Sequence, residues 1–153
     1  MSIVIRKCTI AELESAPNIS EILAEYSVES SIKGLPHPSA KVEMYKHLES
    51  IGTLITYGAF LDKELIGYIT VLSPVMPHYS IIIAVTESFF VAKAHRKTGA
   101  GLKLLHEAEG YAKEVGSPGL LVSAPFGGNL AEVLPHIGYS ETNRVFFKGF
   151  SNE

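Results

Sequence analysis

Six consecutive residues, Arg96-Lys97-Thr98-Gly99-Ala100-Gly101, combine charge, glycine and position in a way that can hold an anion. They follow an apolar, β-prone run ending at Val91 and precede an amphipathic stretch beginning near Leu102. The first amides of a helix have no intrahelical acceptor and point outward as donors. The helix dipole adds partial positive charge at the same end. Gly99 and Gly101 permit positive φ and let the backbone come close to a ligand. Arg96 and Lys97 bring formal charge beside those amides, and Lys93 and Lys103 flank them. The chemistry predicted is recognition of a pyrophosphate. The hexapeptide is not a P-loop, because no Gly-Lys-Ser/Thr opens the helix. Its glycine spacing also differs from the dinucleotide-binding fingerprint.

For that chemistry the loop must be fixed between a strand and a helix. Ser80 to Val91, with Ile81, Ile82, Ile83, Val85, Phe89 and Phe90, reads as a long central strand buried on both faces. Leu102, Leu105, Ala108, Ala112 and Val115 recur at helical spacing, and Gly116-Ser117-Pro118-Gly119 stops that helix. Upstream, Ile3-Val4-Ile5 begins a strand, and Thr9 with Glu12 forms a capping box for a helix that Pro17 interrupts. A second helix runs from Ile19 to Glu29; Lys33 to Pro38 is a loop; Ser39 caps a third helix through Leu48. Thr53 to Leu61 and Leu65 to Leu72 form a hairpin about Asp62-Lys63-Glu64, and Pro74 to His78 breaks its second strand. Downstream come a strand at Leu120-Leu121-Val122, a helix from Leu130 to Ile137 ended by Gly138, and a closing strand at Val145-Phe146-Phe147. This order predicts a mixed α/β fold, a central sheet of about six or seven strands flanked by about four helices. The 153 residues form a single predicted domain, 1–153.

Composition narrows the function classes. Apolar residues make up 46% and charged residues 19%, the balance of a globular chain. Thirteen Lys and Arg against sixteen Asp and Glu give 13 − 16 = −3, which argues against binding nucleic acid or a membrane surface through bulk positive charge. The longest strongly apolar run, Ile81 to Val85, falls far short of the ~20 residues of a membrane helix. The single cysteine, Cys8, excludes an internal disulfide and a multi-cysteine zinc site, and a reduced, cytoplasmic setting fits it. The histidines include no His-x-x-x-His pair, so no metal is predicted.

Arg-x-x-Gly-x-Gly at Arg96–Gly101, five residues after a strand ending in Val91, resembles the acyl-CoA signature of the GNAT N-acetyltransferase superfamily. The order of elements, through the last helix and Ile137-Gly138-Tyr139, resembles that family over essentially the whole chain. The resemblance implies direct transfer of an acetyl group from acetyl-CoA to a primary amine of a small molecule, peptide or protein. It implies that Arg96, Lys97, Thr98, Gly99, Ala100 and Gly101 surround the CoA pyrophosphate, with the backbone amides gripping it. Phe89, Phe90 and Val91 would bond the pantetheine arm as though it were another strand, and a backbone amide there would stabilise the tetrahedral oxyanion. Leu120 to Ser123 would splay away to leave a wedge, and Asn129, after Gly127-Gly128, would reach the pantetheine. A homodimer is compatible with the family.

An amine with a pKa of about 10 must lose a proton before it attacks. Glu87 is the first candidate base, as the only carboxylate in the long apolar strand. It lies four residues before Val91, so a regular strand puts both on one face, and desolvation there would raise its pKa. His78 is the alternative, directly or through water. The competing readings are a Glu87 that is paired or at the sheet edge, and a His78 that is merely an exposed loop residue. The family's usual acid, a Tyr before the last helix's Gly, corresponds here to Leu134, and its usual Asn to Gly127. The acid is therefore unassigned, and Tyr111 and Tyr139 read as packing residues. Two other functions compete: a non-catalytic acyl-CoA-binding module, and an interaction domain that has lost CoA.

Overall fold

The structure, a computed structural model, describes residues 2–36 and 42–150. The predicted cap Ser39 lies outside them. A five-stranded sheet runs in the order β1 (Ile3–Cys8), β2 (Leu54–Leu61), β3 (Glu64–Leu72), β6 (Ala84–Val91) and β7 (Leu120–Leu121). The first four strands pair antiparallel and β7 joins β6 in parallel. A separate two-stranded hairpin consists of β4 (Val75–Met76) and β5 (Ile81–Ile82). Five α-helices, α1 (Ile10–Glu14), α2 (Ile19–Ser30), α3 (Val42–Ser50), α4 (Ala100–Glu114) and α5 (Asn129–Val133), and two 3₁₀ turns, Lys93–His95 and Leu134–Ile137, complete the described elements. The fold is the expected mixed α/β one, with its strands divided between a sheet of five and a hairpin of two.

Local chemistry accounts for most boundaries. Thr9 accepts from the Glu12 amide while the Glu12 carboxylate accepts from the Thr9 amide, so the predicted capping box opens α1. Asp62-Lys63 closes the β2–β3 turn, with Asp62 at φ +57°. Pro135 has no N–H for the α ladder, and the last helix changes to a 3₁₀ turn over Leu134–Ile137.

The sheet carries a core on each face. On one, α4 buries Leu104, Leu105, Ala108 and Ala112 against Tyr57, Ile69, Val71 and Val91. On the other, Ile10, Leu13 and Ile22 of α1 and α2 pack with Leu54, Phe60, Tyr68 and Phe90. Each large aliphatic side chain so buried contributes roughly 1.5–3 kcal/mol.

Three expectations are corrected. Ser80 to Val91 is not one strand: Ser80 turns at φ +58°, the Ile83 amide bonds the Pro74 carbonyl, and only Ala84–Val91 joins the main sheet. Leu102 is 45% exposed, because the buried stripe of α4 follows Leu104 and Leu105. Val145-Phe146-Phe147 forms no strand and pairs with none of the described strands.

Candidate functional site

The Arg96–Gly101 loop leaves the end of β6 through a 3₁₀ turn, Lys93–His95. Gly99 is the N-cap of α4 at φ +84°, a left-handed conformation that strains any residue with a Cβ. A Cβ there would meet nothing within 4 Å, so the glycine is required by backbone conformation and not by crowding. Thr98 accepts from the Ala100 amide and donates to the His95 carbonyl. Among the described residues the amides of Lys97, Gly99, Gly101 and Leu102 have no intrachain acceptor. They form a small nest of donors at the positive end of a helix of 15 residues. Lys93, Lys97 and Lys103 stay exposed around it.

The Arg96 side chain turns the other way. Its Nε donates to the Val91 carbonyl at 2.8 Å, and one terminal nitrogen reaches both Glu29 carboxylate oxygens at 2.7 Å. Its guanidinium carbon stands 5.5 Å from the centre of the Phe90 ring. One turn earlier on α2, Glu25 accepts from the Lys93 amide at 2.6 Å. Two carboxylates spaced i, i+4 on α2 thus hold the entry to the loop. The sequence reading missed both, although their spacing opposite a basic loop was a usable signal.

Beside the loop, β6 outruns its neighbour. β7 pairs with it only at Ala84↔Leu120 and Val85↔Leu121. Past that point the Ser123 amide bonds the Thr86 side chain instead of a backbone carbonyl. The edge of β6 from Ser88 to Val91 is left without a strand on that side, as a wedge. On the other side Phe89, Phe90 and Val91 pair with Ile69, Tyr68 and Gly67. Phe90 and Val91 are buried and Phe89 half-buried.

Glu87 occupies a bulge. Thr70 pairs with Ser88 but Val71 pairs with Thr86, so Glu87 is the extra residue on β6. The bulge reverses the side-chain alternation. Val91 and Phe89 pack toward α4, whereas Glu87 turns to the opposite face with Ser88. The expectation that Glu87 and Val91 share a face assumed a regular strand, and the bulge overturns it. On that face Tyr45 of α3 donates to Glu87 Oε1 at 2.8 Å, and Thr70 donates to Oε2 at 2.9 Å. Thr70 Oγ1 and Ser88 Oγ lie 2.6 Å apart. Glu87 is exposed, so its carboxylate is held by hydroxyl donors and is not desolvated in an apolar strand. Burial, and next the charge of Glu87, push the Tyr45 phenol well above its usual pKa, so it stays a donor. Tyr45 and Thr70 were not singled out in the sequence; a threonine inside an apolar strand was the available hint.

The remaining candidates lie apart from this cluster. His78 sits exposed in the β4–β5 turn with its ring edge-on to Tyr79, 4.8 Å between centroids, and no hydrogen bond joins it to Glu87. Asn129 is exposed at the start of α5, after Gly128. Leu134, at the position of the family's usual tyrosine, is buried against α4. Tyr139 donates to Glu109, and Tyr111 shares a hydrogen bond with Ser73, which fits packing roles for both. No three His, Cys, Asp or Glu side chains gather as a metal site among the described residues, and no described helix is long and apolar enough to cross a membrane.

The sequence profile of the Acetyltransferase (GNAT) family matches residues 18–130. A search of curated proteins gives no match. Among solved structures, a ribosomal-protein-alanine N-acetyltransferase from Brucella melitensis biovar Abortus 2308 superposes with a TM-score of 0.73 at 16% identity, covering 98% of this chain and 100% of that one. AAC(6')-Iy, solved with the bisubstrate analog CoA-S-monomethyl-acetylneamine, gives 0.73 at 17% identity over 99% and 100%. A transcriptional regulator from Bacillus halodurans C-125 gives 0.74 at 18% identity over 97% and 100%. At these identities the likeness is one of fold.

Proposed function

Because the chain belongs to the GNAT acetyltransferase family, we propose that it is an N-acetyltransferase that moves an acetyl group from acetyl-CoA directly to a primary amine of a small molecule, peptide or protein. The observation that carries this reading is the unpartnered amide nest at Gly99 lying beside the open edge of β6. In that arrangement the open amides of the loop from Lys97 to Gly101, those of Lys97, Gly99 and Gly101, bind the diphosphate of CoA together with that of Leu102, with Lys93, Lys97 and Lys103 contributing charge. The open backbone of Phe89 and Phe90 bonds the pantetheine arm, and Asn129 borders it. The Val91 carbonyl already accepts from Arg96, so Arg96 acts mainly by fixing the loop. The chain acts as a single domain in the cytoplasm.

Glu87 is the proposed base. It is exposed, and each of its oxygens accepts a single hydroxyl in the structure, leaving lone pairs to take a proton from the incoming ammonium. His78 serves as the base only through a water or a rearranged β4–β5 turn. Acetyl-CoA supplies the acetyl group as a thioester. A backbone amide near the end of β6 steadies the oxyanion. The thiol has a pKa of ~8.5, low enough to leave without a side-chain acid, which suits the leucine at position 134.

The test combines binding and turnover. Acetyl-CoA is expected to raise the melting temperature, and a thiol-release assay across amines and peptide N-termini is expected to find an acceptor. Gly99→Glu, which puts a charged side chain on the left-handed cap, is expected to abolish the thermal shift. Glu87→Gln is expected to keep the shift and lower kcat by about 10²-fold or more. A thermal shift without turnover on any amine would instead favour a non-catalytic acyl-CoA-binding module, the second reading, which the buried Leu134 keeps open. Turnover unaffected by Gly99→Glu sinks the proposed cosubstrate site.

A further inference from the structure

The face of the sheet that presents Glu87 is walled by aromatic rings. Tyr26 of α2 stands 5.9 Å from Tyr68 of β3 and, edge-on, 5.7 Å from Phe90 of β6, centre to centre. Tyr45 donates to Glu87 from α3. Tyr68 and Phe90 are buried, while Tyr26 and Tyr45 are half-buried beside the exposed Glu87. Burial raises the phenols of Tyr26, Tyr45 and Tyr68, and the Glu87 charge is among the lesser causes in each. All three stay neutral, so this wall holds one formal charge.

The charges nearby add no second anion to it. Glu25 and Glu29, on either side of Tyr26 along α2, accept from the Lys93 amide and from Arg96. On α3, Glu49 accepts from the Ile10 amide. Glu43, two residues before Tyr45, lies on a different side of that helix. From Ser31 to Lys41 the sequence has no carboxylate and includes Lys33 and Lys41. In that segment, just past α2, Ile32 is 50% exposed and Leu35 46% exposed.

We propose that the acceptor is a small monoamine on an apolar frame, its single ammonium set on Glu87 and its frame laid against Tyr26 and Tyr45. This rests on the reading of the chain as an acetyltransferase and narrows the acceptor within it. One carboxylate matches one ammonium. The further cations of a polyamine would meet rings, aliphatic side chains and lysines, where desolvation without a partner is costly. A peptide N-terminus has the same single charge, but its backbone amides and carbonyls need partners that ring faces do not offer. An apolar frame needs none and gains from covering the half-buried rings.

Calorimetric titration of amines into protein saturated with CoA, which carries no acetyl group, reads recognition apart from turnover. 2-Phenylethylamine and hexylamine are expected to bind about tenfold or more tighter than methylamine, which has the charge without the frame, and than spermidine. With acetyl-CoA, kcat/KM is expected to follow the same order. Glu87→Gln is expected to weaken 2-phenylethylamine about tenfold. Tyr26→Ala is expected to bring 2-phenylethylamine and methylamine within about threefold of each other, the thermal shift with acetyl-CoA showing that each variant is folded. Should Tyr26→Ala not fold, Tyr26→Leu keeps the packing and is expected to weaken 2-phenylethylamine relative to hexylamine by about threefold. Binding in this order without thiol release would overturn the acetyltransferase reading and leave the amine site standing. Thiol release that favours spermidine or a peptide N-terminus over both apolar amines, failure of those amines to bind, or affinities indifferent to Tyr26 and Glu87 overturns this proposal.

Discussion

A single extra residue decides what Glu87 faces. Had β6 been regular, the carboxylate would point with Val91 toward α4; the bulge opposite Thr70 and Val71 delivers it to Tyr45 and Thr70 instead. With Glu87 as the base, Tyr45→Phe removes one of two hydroxyl donors on the carboxylate while leaving the amide nest untouched. The expected result is a fall in kcat of about tenfold with the KM for acetyl-CoA unchanged, the size of one hydrogen bond to a charged group. Steady-state kinetics with both substrates varied checks it, and an equal rise in the acetyl-CoA KM would show that Tyr45 supports the fold of the loop instead. Cys8 supplies a pH dependence. Burial, the largest cause, raises its thiol from 9.0 to about 11. In the unfolded chain the thiol loses its proton first, so the unfolded state binds fewer protons between pH 9 and pH 11. This contribution to stability is therefore complete below pH 9 and is lost as pH rises through 11, for about 2.7 kcal/mol at most. The buried phenols of Tyr45 and Tyr68 are raised in the same sense, so the share of Cys8 is read as a difference. Denaturant melts of the native chain and Cys8→Ala across pH 8–11 are expected to converge as pH rises.

Two glycines separate what an element needs from what it tolerates. In β3, a Cβ on Gly67 would stand 2.8 Å from the Phe90 carbonyl oxygen, a backbone atom that can move only with the sheet. Gly67→Ala is expected to destabilise by about 2–3 kcal/mol, in the range of overpacked core sites. In α4, Gly110 is exposed and a Cβ there meets nothing within 4 Å. Gly110→Ala is expected to stabilise by about 0.5–1 kcal/mol through helix propensity. Thermal or denaturant melts measure both, and a destabilising Gly110→Ala would contradict the open helix face. The elements themselves were largely legible. The capping box at Thr9, the short loop at Asp62, the helix after Gly99 and the turn at Gly138 are local signals, and local chemistry decided them. The bulge, the division of Ser80–Val91 and the Glu25 and Glu29 contacts were not legible, because each depends on what a distant segment brings opposite. Likewise Val145–Phe147 has strand propensity, yet propensity names no partner, and no strand among the described residues pairs with it.

The whole molecule has two cores sharing one sheet, and the proposed cosubstrate site lies where β6, α2 and α4 meet between them. Tyr68 and Phe90 pack toward α2, while Ile69 and Val91, their chain neighbours, pack toward α4. Loss of either face leaves the other face's strands without their packing, so the cores are expected to melt together in one transition. A ligand at the junction then stabilises the entire fold. At a hundred times its Kd, acetyl-CoA is expected to add about 2.7 kcal/mol, a rise in Tm of roughly 5–10 °C for a chain of this size. The electrostatics make that affinity local. Net charge is −3, yet Lys93, Lys97 and Lys103 stand exposed around the amide nest, and the Arg96 charge beside them is matched by Glu29. Exposed charges are screened by salt, whereas backbone amides and the helix terminus are screened less. Raising KCl from about 0.05 to 0.5 M is therefore expected to weaken acetyl-CoA roughly threefold, as the Debye length shrinks below the spacing of such charges. The unliganded Tm is expected to change little, because the ion pairs among the described residues, Arg96–Glu29 included, are each about a third exposed or more and worth little. Calorimetric titration at the two salt concentrations measures the difference. A loss of a hundredfold would mean that the lysines and not the amides carry the binding, and a Kd indifferent to salt would place the anion away from the three lysines altogether.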